Sequence, residues 1–429
     1  MTADTIYALS TGSPPAAIAV VRISGPDADA ALDALTGSIT QPRVATLRTL
    51  RDPATGETLD RALVLRFAGP GSATGENLVE LHLHGGRSVV AGVLASLSSL
   101  DGLRPAQAGE FTRRAFENDR IDLAEAEGLA DLLAAETQSQ RRAALALAGG
   151  SLSRLIGDWQ SGLLGLSAAV EAVLDFSDEG DVEQGLSSGW HERLRTLVGD
   201  MQRLLRTAPA ERLRDGVRVV IAGPPNAGKS SLLNCLAGRE AAIISAVPGT
   251  TRDVIEAPTA IGGSPFLLID TAGLRDSGDE VEAIGISRAR ERLAAADLLL
   301  WLGDRADCPA VESAIFVASK ADLRGPDQQV DADVEVSAET GLGMEALTDL
   351  LINRARQLLP KEGELAINQR HRAALSECVD ALQLAGETSD LLAVAESLRV
   401  GRVMLDRITG RAGVEDMLDH LFGAFCIGK

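Results

Sequence analysis

The chain has 429 residues, 45% of them hydrophobic, and a formal net charge of −20 at pH 7. This length allows two or three domains with buried cores. The negative charge argues against broad nonspecific nucleic-acid binding, which needs a basic surface that neutralises phosphates. We therefore expect any RNA contact to be local, and we expect neither DNA nor a membrane as a partner.

The composition also indicates a compartment. No apolar run approaches the ~20 residues of a membrane span, and the N-terminus lacks the basic and apolar regions of a secretory signal. The four cysteines, Cys235, Cys308, Cys378 and Cys426, lie far apart, which fits neither a disulfide framework nor a zinc site. The sequence therefore predicts a cytoplasmic protein.

Strand-like and helix-like sequence patterns lie on the two sides of residues 211–358. Short strand-like runs separated by Gly and Pro, such as 18–23, 62–67 and 77–84, predict a small α+β module over residues 1–117. Ala, Leu, Glu and Arg recur at three- and four-residue spacing over 118–210 and 359–429. We interpret these two segments as one helical domain.

The region 211–358 has a different pattern, in which buried-strand runs alternate with helical stretches. This alternation predicts a parallel sheet covered by helices, inserted into the helical domain. The expected architecture is thus multidomain α/β plus α. Only about ten residues separate the runs 297–302 and 314–318, fewer than a helical crossover normally takes. A helix in the 303–313 connection is therefore expected to be shortened or lost. The strand runs are 217–222, 265–269, 297–302, 314–318 and 334–336.

Lysine is scarce in this chain: only four of its 41 basic residues are lysines. Lys361 looks incidental. Lys229, Lys320 and Lys429 occupy positions where a compact ammonium group, which arginine does not reproduce, has a chemical role.

The first of these lysines completes a phosphate-loop pattern. Gly223-x4-Gly228-Lys229-Ser230 follows a predicted strand and opens a predicted helix. Backbone amides of such a loop bind the β-phosphate. We expect Lys229 to reach the β- and γ-phosphates and Ser230 to bind Mg²⁺.

Later motifs extend this nucleotide site. Thr251 is expected to complete the Mg²⁺ shell, and Asp270 to sense the metal and the γ-phosphate through water. Asp322 offers a carboxylate to the two N–H groups of guanine, with Lys320 over the base. Ser319 stands where Asn is usual, which is expected to weaken guanine binding. The predicted GTP-binding residues are Asn226, Ala227, Gly228, Lys229, Ser230, Ser231, Ser245, Ala246, Val247, Pro248, Gly249, Thr250, Thr251, Asp270, Thr271, Ala272, Gly273, Ser319, Lys320, Ala321, Asp322, Ser337, Ala338 and Glu339.

These motifs resemble those of the TrmE-Era-Era-like-septin group of GTPases. The segments that carry this resemblance are 226–234, 248–253 and 270–275, which read NAGKSSLLN, PGTTRD and DTAGLR. Three further segments are similar to the MnmE (TrmE) branch: 279–285 (DEVEAIG), 109–118 (GEFTRRAFEN) and 425–429 (FCIGK). The resemblance covers essentially the whole chain.

The resemblance implies a homodimeric, K⁺-stimulated GTP hydrolase that acts on tRNA. It implies a partner, MnmG (GidA), which carries FAD and forms a heterotetramer with this chain. Together the two proteins add an aminomethyl or carboxymethylaminomethyl group to C5 of the wobble uridine of certain tRNAs. The one-carbon unit comes from 5-formyltetrahydrofolate or a related tetrahydrofolate.

Residue roles follow from the same resemblance. Asn226, Ser245, Val247 and Thr250 match the positions whose oxygens bind K⁺. Glu282 matches the residue that orients the attacking water, although without the family it would be interpreted as a solvated helix carboxylate.

The resemblance also implies folate contacts. These are Arg22, Glu80, Arg120, which replaces a lysine common in relatives, and Lys429. Without the family resemblance, Arg22 and Glu80 would be interpreted as ordinary strand residues. Cys426 matches a cysteine that matters for tRNA modification, and a catalytic and a structural role both remain open for it.

Two alternatives remain open on the sequence alone. One is a ribosome-assembly switch like Era or Der, although the chain has one phosphate loop and no basic C-terminal domain. The other is a folate-binding regulator with a vestigial GTPase, suggested by Ser319 and the short 303–313 connection.

Overall fold

The computed structural model describes residues 4–175, 186–239, 256–270, 296–309, 314–324, 330–361, 363–412 and 415–429. Contacts between residues divide the chain into two compact units, Met1–Ala130 with Asp406–Lys429, and Asp131–Leu405. The C-terminal segment therefore belongs with the N-terminal module, while the predicted nucleotide domain and most of the helical segments share the second unit. Among the described residues, every helix is too short or too polar to cross a membrane.

The first unit is built on a six-stranded sheet with the order β3-β4-β5-β2-β1-β6. Its strands are β1 (Thr5–Leu9), β2 (Ile18–Ser24), β3 (Thr46–Arg51), β4 (Thr58–Phe67), β5 (Leu78–His84) and β6 (Leu103–Pro105). Its helices are α1 (Ala28–Thr36), α2 (Arg87–Ser98), α3 (Glu110–Glu117) and the first part of α4 (Leu123–Ala134).

The two faces of this sheet differ because side chains alternate along each strand. One face is apolar and packs on α1 and α2, where Val21 and Leu81 meet Leu32 and Val93 in one buried cluster. The opposite face is covered over β1 by a small cluster that contains Phe111 of α3. Beyond that cluster the face is partly exposed and mixed, with polar Arg22, Glu80 and His82 beside the exposed apolar side chains of Ile18 and Leu63.

The C-terminal segment of the chain packs against this unit. Phe422 and Phe425, from and just after α13 (Glu415–Gly423), are buried in a cluster with Leu123 of α4. Ile427 then pairs with Ala108 in an isolated antiparallel bridge. The tail therefore lies beside the strands of the N-terminal module, although it is the most distant segment in sequence.

The second unit contains helices and a second six-stranded sheet. Its helices are α5 (Gln138–Ala148), α6 (Ser151–Asp175), α7 (Ser188–Leu205), α8 (Ala210–Asp215), α9 (Lys229–Arg239), α10 (Met344–Leu358), α11 (Gln369–Glu387) and α12 (Leu391–Thr409), the last of which crosses into the first unit. Its strands are β7 (Val217–Ala222), β8 (Glu256–Ile261), β9 (Ser264–Asp270), β10 (Leu298–Trp301), β11 (Ala314–Ala318) and β12 (Val334–Glu335).

The second sheet has the order β12-β11-β10-β7-β9-β8. Five of these strands are parallel, which confirms the predicted parallel sheet. The edge strand β8 is antiparallel to β9 and was not predicted. It connects to β9 through Gly262 and Gly263, whose φ angles of 56° and 74° suit a tight hairpin turn.

The short connection between β10 and β11 behaves as expected in its described part. Residues 302–309 contain one 3₁₀ turn, Arg305–Asp307, and no α-helix. The guanidinium of Arg305 lies 3.9 Å from the ring centroid of Phe316 and forms ion pairs with Asp331 and Asp333. One stacked side chain thus covers a part of the sheet that a crossover helix would ordinarily protect.

A buried ionic network fixes α3 to the strands. The Arg114 guanidinium contacts carboxylate oxygens of Asp4 at 2.7 Å, Glu76 at 3.1 Å and Glu110 at 3.3 Å. Arg104 donates to Glu110 as well. Because removing one member of a buried ion network leaves an uncompensated charge, Arg114 is expected to stabilise this unit strongly.

We expect Arg114→Met to lower the free energy of unfolding of the first unit by about 3 kcal/mol. Arg113→Met is the matched control, because Arg113 forms exposed pairs with Glu117 and Asp419 and should cost less than about 1 kcal/mol. Urea unfolding followed by hydrogen exchange in peptides from α3 measures both. Equal effects of the two substitutions would contradict a structural role for the network.

The difference between wild type and Arg114→Met should also depend on pH. Hydrogen bonds from Arg104, with a smaller contribution from Arg114, lower the pKa of Asp4. Burial raises the pKa of Glu110, but hydrogen bonds from Arg104 and the Gln107 N–H, together with the charges of Arg104 and Arg114, outweigh burial and lower it overall. Carboxylates with depressed pKa values stabilise the fold above their ordinary value of about 4 and lose this effect as the pH falls through the folded pKa. The variant loses only the part of this lowering that Arg114 contributes, and that part of the stability gap should disappear below about pH 4.

Candidate functional site

The phosphate loop has the strand-loop-helix context that its motif predicts. It leaves β7 after Ala222 and enters α9 at Lys229. Three residues have positive φ: Gly223 at 149°, Asn226 at 59° and Gly228 at 91°. At Gly223 a side chain would also come within 3.1 Å of the Leu302 backbone, so this glycine is required both by conformation and by space.

Lys229 points into the loop. Its ammonium donates to the carbonyl oxygens of Pro224 at 2.9 Å and Gly223 at 3.2 Å. The side chain is nearly buried. A positive charge is thereby held inside the ring of backbone groups where a phosphate loop binds its anion.

Ser230 and Asp270 come together at the same edge of the sheet. The Ser230 hydroxyl donates to an Asp270 carboxylate oxygen at 2.5 Å, and Asp270 is only 3% exposed. Hydroxyl and carboxylate oxygens are the hard ligands that Mg²⁺ prefers. These two residues fit a magnesium site.

The segment after β11 reaches back to the phosphate loop. The Ser319 hydroxyl donates to the Ala227 carbonyl at 2.5 Å, and the Lys320 ammonium donates to the Asn226 carbonyl at 2.7 Å. Arg324 donates to the Ser319 carbonyl at 2.6 Å, a contact that no sequence motif indicates. The Ser319 hydroxyl therefore contacts the loop, so the serine still has a positioning role although the usual Asn is missing.

The remaining residues predicted to contact the base lie next to this segment. Asp322 is exposed in a 3₁₀ turn, Ala321–Leu323, and the Ala321 N–H donates to the carbonyl of Val336 at 3.0 Å. Ser337, buried just after β12, accepts from the N–H of Thr340. Asp322 is thus available to a ligand at the edge that carries the phosphate loop.

Part of the predicted nucleotide site lies outside the described residues. This applies to the predicted residues within 240–255, which include the K⁺ positions Ser245, Val247 and Thr250 and the Mg²⁺ ligand Thr251. It also applies to Thr271, Ala272, Gly273 and the predicted catalytic Glu282.

Two of the predicted folate residues lie on the open face of the first sheet. Arg22 and Glu80 sit opposite each other on β2 and β5 and form an ion pair at 2.8 Å. The carboxylate of Glu80 also lies 3.4 Å from a His82 ring nitrogen. Both members of the ion pair are partly exposed, so they can reach a ligand on this face.

Arg120 and Lys429 approach that face through their neighbours. The Arg120 side chain lies beside Gly75, in the loop whose Thr74 and Glu76 bond to Ser24 of β2. Gly428, adjacent to Lys429, packs on the backbone of Leu9 and Ser10 at the end of β1. Arg22 and Glu80 thus share one face of the sheet, Arg120 lies beside the loop that bonds to Ser24, and Lys429 directly follows the residue that packs on the end of β1.

The thiols differ in their environment. Cys378 is fully buried, and burial raises its pKa to about 12, so it is unreactive near neutral pH. Cys426 is exposed in the C-terminal tail. Of these two, only Cys426 is accessible to a reaction partner.

Comparison with known proteins identifies the family. A family profile described as the MnmE helical domain matches residues 123–426, and one described as the GTP-binding protein TrmE N-terminus matches residues 5–120. The chain belongs to the MnmE family. A tRNA modification GTPase MnmE of Rhizorhabdus wittichii is 60% identical over 99% of this chain and 97% of its own length. One from Erythrobacter litoralis is 54% identical over 99% of this chain and its own full length.

In a GTPase of the MnmE family, the contact between Ser319 and the phosphate loop should strengthen nucleotide binding. We expect Ser319→Ala to weaken GDP binding about fivefold, because one hydrogen bond contributes about 1 kcal/mol. Thr348→Ala is the control, since the Thr348 hydroxyl bonds only within α10, to the carbonyl of Met344. Titration with a fluorescent guanine nucleotide measures both variants. An unchanged affinity for Ser319→Ala would show that the contact does not support the loop.

Proposed function

We propose that this chain is a GTP hydrolase that works in the modification of the wobble uridine of certain tRNAs. The observation that carries the proposal is the meeting of Lys229, Ser230, Asp270 and the 319–322 segment at one edge of a parallel sheet, in a chain of the MnmE family. Ligands of such sheets bind at the carboxyl ends of the strands.

Each described residue of the nucleotide site has a distinct role in this proposal. Lys229 places its ammonium against the β- and γ-phosphates, and Ser230 and Asp270 orient Mg²⁺, which neutralises charge on the phosphate oxygens when bound. Asp322 accepts the two guanine N–H donors, while Lys320 holds the loop through Asn226. Base recognition and phosphate binding are thereby linked by direct contacts.

The catalytic part of the proposal follows the family. Asn226, Ser245, Val247 and Thr250 supply oxygens for K⁺, whose charge, when it is bound, offsets the negative charge of the transition state. Glu282 orients the attacking water through a second water. Of these residues the structure describes only Asn226, whose positive φ presents its side chain and carbonyl on a strained turn.

The open face of the first sheet is the proposed tetrahydrofolate site. The Glu80 carboxylate suits the donor edge of a pterin, and Arg22, Arg120 and Lys429 suit the carboxylates of a glutamate tail. The bound folate would supply the one-carbon unit, and Cys426 lies in the same C-terminal tail as Lys429. We further propose a homodimer that works with MnmG, which carries the FAD.

The nucleotide part of the proposal is tested by Lys229→Ala, with Lys361→Ala as its control because Lys361 is exposed and lies outside the motifs in the sequence. We expect Lys229→Ala to lower GTP turnover at least about 100-fold, since it removes a charge that the transition state needs. Wild-type turnover should be about tenfold or more faster in K⁺ than in Na⁺. Equal rates in the two salts would refute the potassium role alone.

The tRNA part is tested by mass spectrometry of tRNA nucleosides from a strain lacking this protein. We expect the C5 modification of the wobble uridine to be lost, restored by wild type and by Glu57→Gln, and not restored by Glu80→Gln. Glu57 is an exposed glutamate of the same module, so its substitution controls for the loss of one charge. Glu80→Gln should retain GTP hydrolysis. Unaltered wobble uridines in the deletion strain would refute the proposed function.

A further inference from the structure

The first turn of α5 contacts the sheet of the nucleotide site at two places. The Gln140 amide nitrogen donates to the Arg214 carbonyl at 3.1 Å, and the Ser139 hydroxyl donates to the Gly263 carbonyl at 3.0 Å. One turn further along the helix, Ala143 packs against the apolar core of the nucleotide domain. None of these three residues belongs to a sequence motif.

The carboxamide of Gln140 makes hydrogen bonds in two directions. Its oxygen accepts from the N–H groups of Thr137 and Glu136, which completes the capping box at the start of α5. Its nitrogen is thereby aimed at Arg214, whose carbonyl belongs to the last turn of α8 and lacks an intrahelical partner. The helix cap therefore orients the Gln140 amide nitrogen that donates to α8.

The residues next to the two accepting carbonyls are closely packed. Gly216, between α8 and β7, packs so closely on Phe266 of β9 that a side chain there would come within 2.9 Å of its backbone. A side chain on Gly262 would come within 2.5 Å of Ile352 of α10. The backbone next to each carbonyl is thus closely packed against the nucleotide domain.

These two strands lead directly to the nucleotide site. The Arg214 carbonyl precedes β7, which ends at the phosphate loop, and the Gly263 carbonyl precedes β9, which ends at Asp270. The strands are parallel neighbours, so α5 holds their beginnings while the phosphate loop and Asp270 occupy their ends. The span of each strand is about 20 Å.

A cleft between α5 and α8 is lined by Ala144 and Leu147 of α5 and by Leu213 of α8, all three of them buried. The two hydrogen bonds therefore add polar contacts beside an apolar one on this side of α5.

We propose that Gln140 and Ser139 are positioning residues that couple nucleotide binding to the helical part of the second unit. A nucleotide that fixes the ends of β7 and β9 also fixes the spacing of the two carbonyls, which favours both contacts with α5. Coupling free energy is reciprocal, so the contacts must raise nucleotide affinity by the factor by which nucleotide stabilises them. This inference rests on the nucleotide-binding part of the proposed function.

The test compares Gln140→Glu/Ser139→Ala with Gln138→Glu/Ser161→Ala. Glutamate at position 140 can still accept the two hydrogen bonds of the helix cap but cannot donate to the Arg214 carbonyl. The substitution therefore removes the hydrogen bond to α8 and keeps the cap. Gln138 is an exposed neighbour that receives the same charge, and the Ser161 hydroxyl bonds only within α6. Ser139→Thr keeps the hydroxyl and serves as the conservative variant.

In wild type we expect GDP with Mg²⁺ to slow hydrogen exchange in the peptide 137–143 about fivefold, and the double variant to bind GDP weaker by the same factor. The control pair and Ser139→Thr should match wild type. If wild type binds GDP but exchange in 137–143 does not respond, or if the double variant binds GDP normally, the inference is overturned. Failure of wild type to bind GDP at all would instead refute the proposed function.

Discussion

The parallel pairing of β7 with β9 and β10 is the constraint on which the nucleotide site depends. In this register Ile221 lies opposite Asp270, and Trp301 lies opposite Ala222. Because parallel strands end at the same edge, the loops that follow them must converge there. A shift of one residue in this pairing would turn the strand side chains to the other face and separate Asp270 from Ser230.

The phosphate loop itself is held mainly through its carbonyl groups. Lys229 binds the carbonyls of Gly223 and Pro224, while Lys320 and Ser319 bind those of Asn226 and Ala227. With these carbonyls occupied, the loop can present its N–H groups to an anion. Two lysines act here through geometry as well as charge, which is consistent with their retention in a chain where arginine is otherwise preferred.

The sequence was most informative where chemistry demands fixed residue types at fixed spacing. Strands β7 and β11 have the predicted bounds because they are continuous apolar runs between loop residues, and the phosphate loop lies where its motif indicated. Strand β8 was missed because Pro258 and weak alternation lower its strand signal, although the Gly262–Gly263 pair was a usable hairpin signal. The Ser319 contact with Ala227 joins residues 92 positions apart, and no local pattern encodes it.

The proposed folate face shows a different limit of sequence reasoning, because the segments beside it come from the two ends of the chain. Phe425 anchors the tail in the cluster with Leu123, and the backbone then approaches β1 so closely that a side chain at Gly428 would come within 2.3 Å of the Leu9 carbonyl. Gly109 permits an equally close approach to the Phe422 carbonyl, and both glycines have positive φ. The position of Lys429 is therefore set by backbone contacts of its neighbours. A motif of five residues can relate the tail to a family, but only the packing of the tail on β1 explains how the last residues come to lie beside a sheet formed by the opposite end of the chain.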